Sequence, residues 1–147
     1  MIFPYHVGAW QVLRERGFMT PDTPVAGASA GALVAAMHAC GIAPDDGNRI
    51  LLGILRDCRD NGVVGRVGAV LERALRDNLP DDAHARCSGG KLHVSITAPF
   101  LIPLDNAVND GRSKDRVGFN RGPVALDNDM VSSFDSRDDL IGALLSS

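Results

Sequence analysis

The sequence predicts a single α/β domain built on a mainly parallel sheet. Short apolar segments of strand character alternate with longer stretches of helical periodicity, an order that lays helices over a parallel sheet. The 147 residues hold no repeat and no Pro- or Ser-rich linker, so residues 1–147 read as one unit. A hydrophobic content of 45%, a charged content of 22%, a net charge of −3 and a mean hydropathy of +0.01 are globular values. A chain of this length can bury about 68–70% of its unfolded surface, which excludes disorder as a whole-chain description.

Each element has its own signal. Residues 6–16 read as a helix, with Val7, Trp10, Val12 and Leu13 as its apolar stripe and Gly17 just past its end. Residues 23–26 read as a short strand. Residues 30–40 are Ala-dominated with Leu33, Val34 and Met37, a strong helix composition stopped by Gly41. Pro44-Asp45-Asp46 opens the next helix with carboxylates at the positive end of its dipole. Ile50, Leu51, Ile54, Leu55 and Cys58 form its inner face as far as Gly62.

Val67, Val70, Leu71, Ala74 and Leu75 mark another helix, closed by Pro80. Residues 91–97 alternate strictly, with Leu92, Val94 and Ile96 on one face of a strand. Residues 105–129, rich in Asn, Asp, Gly and Arg, read as a long surface loop, and residues 130–134 as a last strand. Ser136 and Asp139 form a capping box before Leu140, Ile141, Leu144 and Leu145.

Charge and cysteine usage narrow the function. Thirteen Arg against 2 Lys could mark phosphate or nucleic-acid binding. Arg56, Asp57, Arg59 and Asp60 instead interleave the two signs, giving a mixed solvated face and no basic stripe. A nucleic-acid partner is not expected. Cys40, Cys58 and Cys87 are odd in number and lack C-x-x-C spacing, which fits reduced thiols in a cytoplasmic setting. No basic, apolar leader opens the chain. The apolar run at 26–40 contains Ser29 and His38 and falls short of the roughly 20 residues a membrane span needs. His and Cys spacings suit no metal site.

The chemistry concentrates in Gly27-Ala28-Ser29-Ala30-Gly31, a G-x-S-x-G motif with a strand before it and a helix after it. Such an elbow holds a serine on a strained turn, exposes its hydroxyl, and sets helix N-terminal N–H groups beside a developing oxyanion. Ser29 is the candidate nucleophile, with the N–H groups of Ala30 and Gly31 as candidate oxyanion donors. A Ser–His–Asp arrangement stays open through His84 or His93, the histidines well downstream of Ser29. Phe3, Tyr5, Phe100 and Leu101 could meet a lipid surface or pack inside.

The segments Phe3-Pro4-Tyr5-His6-Val7-Gly8-Ala9, Leu13-x-x-x-Gly17 and Val25-Ala26-Gly27-Ala28-Ser29-Ala30-Gly31-Ala32-Leu33 resemble the opening of a patatin-like phospholipase domain. Their wording is that of the branch holding adipose triglyceride lipase and adiponutrin. Residues 91–97, 131–136 and 138–145 agree. The resemblance implies a three-layer parallel α/β fold and hydrolysis of acyl lipid esters by a Ser–Asp dyad, with Ser29 as nucleophile and no cofactor. It implies an acyl lipid substrate and peripheral contact with lipid droplets or membranes.

The family's Gly-rich oxyanion loop lies upstream of the Phe3 segment, and its catalytic Asp-Gly pair lies downstream of the last matched helix. Asp46-Gly47 and Asp110-Gly111 stand at neither place. The domain is therefore expected to be incomplete at both ends, and the chain as written inactive. The alternative is a short, non-catalytic lipid- or lipase-binding protein.

Overall fold

The computed structural model describes residues 3–101 and 124–147. Its elements are α1 (Phe3–Glu15), β1 (Val25–Gly27), α2 (Ala30–Ala39), α3 (Pro44–Asn61), α4 (Val67–Asn78), α5 (Ala83–Cys87), β2 (Leu92–Leu101), β3 (Val124–Val131) and α6 (Arg137–Ser146). The α/β class holds, as a small sheet with a larger helical part.

The sheet runs β1-β2-β3. β1 and β2 are parallel, pairing Val25 with Leu92, Ala26 with His93 and Gly27 with Val94. β2 and β3 are antiparallel, from Val94 opposite Val131 to Leu101 opposite Val124. The sheet is thus mixed. β3 also corrects the expected boundaries: residues 124–129 belong to a strand, and only Met130 and Val131 of the expected 130–134 strand lie in it. Asp127, Asn128 and Asp129 are poor strand formers, held extended by pairing with Ala98, Thr97 and Ile96. The rest of the expected loop lies outside the described residues.

One continuous core joins the sheet to the helices. Leu92 and Val94 from β2 meet Ala32, Leu33 and Ala36 of α2 and Leu140, Ile141 and Leu144 of α6 in it. Alternation along the strands turns Ala26, His93 and Thr97 to the other face, where Ala26 and Thr97 are exposed. Among the described residues no helix is packed there, so two of the three expected layers are present.

α1 departs from its expected stripe. It begins at Phe3, with Pro4 in its first turn, where a missing N–H costs nothing. Phe3, Val7 and Trp10 are its buried residues, while Val12 and Leu13 are 46% and 40% exposed. Starting the helix three residues earlier makes Phe3-Val7-Trp10 the inward row. α3 follows expectation: Pro44 at its start, Asp45 and Asp46 in its first turn, and Leu51, Ile54 and Cys58 buried.

α6 is capped as expected. Ser136 Oγ accepts from Asp139 N–H at 3.1 Å, and Asp139 Oδ2 accepts from the N–H of Asp135 at 3.1 Å. Arg137 ties this end to the close of α4, donating to the carbonyl of Leu79 at 2.6 Å and to Asp81 at 3.2 Å. No helix among the described residues is long and apolar enough to cross a membrane.

Candidate active site

The turn from β1 into α2 carries the G-x-S-x-G residues. Ser29 is the N-cap of α2 with φ 50° and ψ −128°, and it is the positive-φ non-glycine residue among those described. These angles match the first central position of a type II′ turn, a place dominated by glycine. A side chain there stores of order 1–3 kcal/mol, the kind of strain that collects at functional sites. The Ser29 side chain makes no capping hydrogen bond and is exposed.

Gly27 is required by close approach. A Cβ at this position would lie 2.5 Å from Ala32 N and Gly31 C and 2.6 Å from Gly31 O. The first turn of α2 therefore sits directly on β1, and no side-chain rotation could relieve the overlap, because the opposing atoms are backbone. The second motif glycine is different. Among the described residues, a Cβ on Gly31 would meet only His6 Nε2, at 4.0 Å, an ordinary contact. Close packing thus demands a glycine at position 27 and not at position 31.

The N–H groups of the turn divide in the same way. Gly31 N–H donates to Ala28 O at 2.9 Å, and Ala32 N–H to Ser29 O at 2.9 Å. Gly31 N–H is thus engaged in closing the turn. Ala30 N–H makes no backbone hydrogen bond among the described residues, and it lies at the positive end of α2.

His6 was not singled out from the sequence. It lies 25 positions before Gly31, and only the packing of α1 across the start of α2 brings its ring there. Behind the turn, Trp10 Nε1 donates to His38 Nδ1 at 3.2 Å. His38 is 1% exposed, and its Nε2 has no hydrogen-bond partner among the described residues. Burial, then the positive charges of Arg14 and Lys91, hold its pKa below the ordinary value; the backbone of Thr23 and Thr20 acts the other way without offsetting this. His38 is therefore a neutral structural histidine.

The remaining candidates fall elsewhere. His84 is on α5, and His93 is on β2 opposite Ala26, on the sheet face turned from the core. Asp46 stands in the first turn of α3 and pairs with Arg49. Its neighbour Gly47 leaves room for Trp10, whose Cζ3 would lie 2.7 Å from an added Cβ. The Asp46-Gly47 pair thus has a packing reason. Asp110-Gly111 lies outside the described residues. Phe3 is core, and Tyr5 is 74% exposed with its ring edge-on to that of His6, centroids 5.9 Å apart.

A strained serine between a parallel strand and a helix, with a glycine packed beneath the helix start, has the strand–turn–helix geometry of a nucleophile elbow. The chain matches the patatin-like phospholipase family over residues 2–147 and belongs to it. It is similar to mouse 1-acylglycerol-3-phosphate O-acyltransferase Pnpla3, with 29% identity over 150 residues covering 97% of this chain and 30% of that protein. The chain thus spans about 30% of the length of that relative. No solved structure matches it.

Proposed function

We propose that this chain carries the nucleophile of a lipid acyl hydrolase or acyltransferase, and that Ser29 is that nucleophile. The observation that carries the reading is the strained, exposed Ser29 at the β1–α2 turn. Its Oγ attacks the carbonyl carbon of an acyl ester, the alcohol leaves, and an acyl-serine ester forms. Water then releases a fatty acid, or a lipid hydroxyl takes the acyl group. The two outcomes share the acyl-enzyme and differ only in the acceptor. Ala30 N–H, open at the positive end of α2, is the oxyanion donor from this turn.

The partner base in this reading is the aspartate of a Ser–Asp dyad, and neither Asp46-Gly47 nor Asp110-Gly111 stands where the family's order puts it. Loss of one oxyanion donor costs on the order of 10²–10³ in rate. Loss of a hydroxyl nucleophile's activating partner costs about 10⁴ or more. Turnover by the 147-residue chain is therefore expected near background. The substrate is an acyl lipid met at a droplet or membrane surface that the protein touches peripherally. A second reading, a non-catalytic lipid- or lipase-binding chain, draws on the outer edge of β1, unpaired among the described residues.

An alkyl fluorophosphonate tests the nucleophile without requiring turnover. Tryptic cleavage leaves Ser29 as the lone serine on the peptide spanning residues 17–49. The expected result is one phosphonyl adduct on that peptide, absent in Ser29→Ala. Adducts confined to other serines, or equal labelling of that peptide in the Ser29→Ala chain, would overturn the reading and favour the binding protein.

A further inference from the structure

Two thiols outside the elbow stand close together in the core. Cys40, the C-cap of α2, and Cys87, the last residue of α5, place their sulfurs 3.6 Å apart although they are 47 positions apart in the chain. Both are free and buried. Arg86 holds the same two elements together, donating to the carbonyl of Cys40 at 3.1 Å while paired with Asp82 at 2.8 Å. The sulfurs thus face each other across a braced contact between helix ends.

We propose that Cys40 and Cys87 are a thiol pair that a peroxide oxidises to a disulfide, with Cys40 attacking and Cys87 resolving. A disulfide has an S–S length of about 2.05 Å, so the sulfurs must close by roughly 1.5 Å from their present separation. The direction of attack follows from the Arg86 guanidinium, which reaches the carbonyl of Cys40. The Cys87 thiol and the Arg86 charge favour a thiolate at Cys40, whose pKa is lowered although burial acts against this. The contact with the Cys40 sulfur, then burial, pushes the Cys87 thiol up.

In the first step the Cys40 thiolate attacks one oxygen of hydrogen peroxide. The O–O bond breaks, hydroxide leaves and is protonated to water, and Cys40 becomes a sulfenic acid. The Cys87 sulfur then attacks the Cys40 sulfur. The S–O bond breaks, and the leaving hydroxyl departs as water with the Cys87 proton. Two thiols lose two electrons, and one peroxide is reduced to two waters.

Access comes through α5, a five-residue helix followed by Gly89 and Gly90, both at positive φ. Such a short element opens locally at far lower cost than the whole fold. The crosslink would fasten the far end of the helix whose first turn presents Ser29. Cys58, buried on α3, is the internal comparison.

Trypsin puts the three cysteines on separate peptides, so a non-reducing peptide map of the whole chain after mild hydrogen peroxide reads the result directly. The expected product is a linked pair containing Cys40 and Cys87, lighter by two hydrogens and restored by dithiothreitol, with Cys58 still alkylated as a free thiol. Cys58→Ser is expected to give the same link. Thiols that all stay free, a bridge to Cys58, or separate sulfinic acids at positions 40 and 87 would overturn the proposal. The readout is a covalent mass, and it is independent of any activity at Ser29.

Discussion

Replacing Ser29 by glycine should make the protein more stable than replacing it by alanine, although both remove the hydroxyl. The backbone at φ 50° and ψ −128° penalises any Cβ. Alanine keeps the Cβ and therefore the strain, and it loses a hydroxyl that caps nothing, so its effect should stay within about 0.5 kcal/mol of the parent. Glycine releases strain of order 1–3 kcal/mol. It also loosens the unfolded chain, at about 0.4–1 kcal/mol. The net expectation is a gain of about 1 kcal/mol for Ser29→Gly over Ser29→Ala. In urea, with a slope of about 1–3 kcal/mol per molar, this moves the unfolding midpoint up by roughly 0.3–1 M at unchanged slope. A glycine variant no more stable than the alanine variant would refute stored strain at the elbow. Neither variant should accept a fluorophosphonate on the peptide spanning residues 17–49.

Three other perturbations separate the parts of the account. Gly27→Ala drives a methyl into the backbone of Gly31 and Ala32 and should cost at least about 1–3 kcal/mol; Gly31→Ala meets only His6 and should gain about 0.5–1 kcal/mol through helix propensity. Thermal melts of the pair check this, and equal effects would contradict the packing. His38 binds its proton less readily folded than unfolded, so its contribution is fully present above its ordinary value of 6.5. That contribution is lost as pH falls from there toward the lowered folded value. Unfolding followed between pH 7.5 and 5 should show this slope in the parent and a flatter one in His38→Gln. Ser136→Ala removes the cap on Asp139 N–H and should destabilise by about 1 kcal/mol, measured by urea unfolding.

Much of this was legible in the residues. The helices at 30–40, 44–62 and 67–80 emerge within a residue or two of their expected limits, because period and caps are local signals. The elbow was legible for the same reason: spacing, small residues and flanking elements all sit within ten positions. What was lost is non-local. β3 takes in Asp127-Asn128-Asp129 because β2 supplies hydrogen-bonding partners, which no window of sequence shows. The inward row of α1 depends on where that helix starts. Gly31 and Ala30 look equivalent as donors until the turn closes and Ala28 O takes the Gly31 N–H. His6 reaches the turn, and Cys87 reaches Cys40, only through helix packing.

The central claim is that Ser29 forms a covalent acyl ester, and trapping that ester tests it most directly. Both steps draw on a base, the first to take the serine proton and the second to activate water, but a good leaving group lowers the demand on the first. The 147-residue chain should therefore accumulate acyl-enzyme without sustained turnover. Acid quench and intact mass should show one added acyl group, mapped to the peptide spanning residues 17–49 and missing in Ser29→Ala. An acyl group carried equally by the Ser29→Ala chain would contradict the claim.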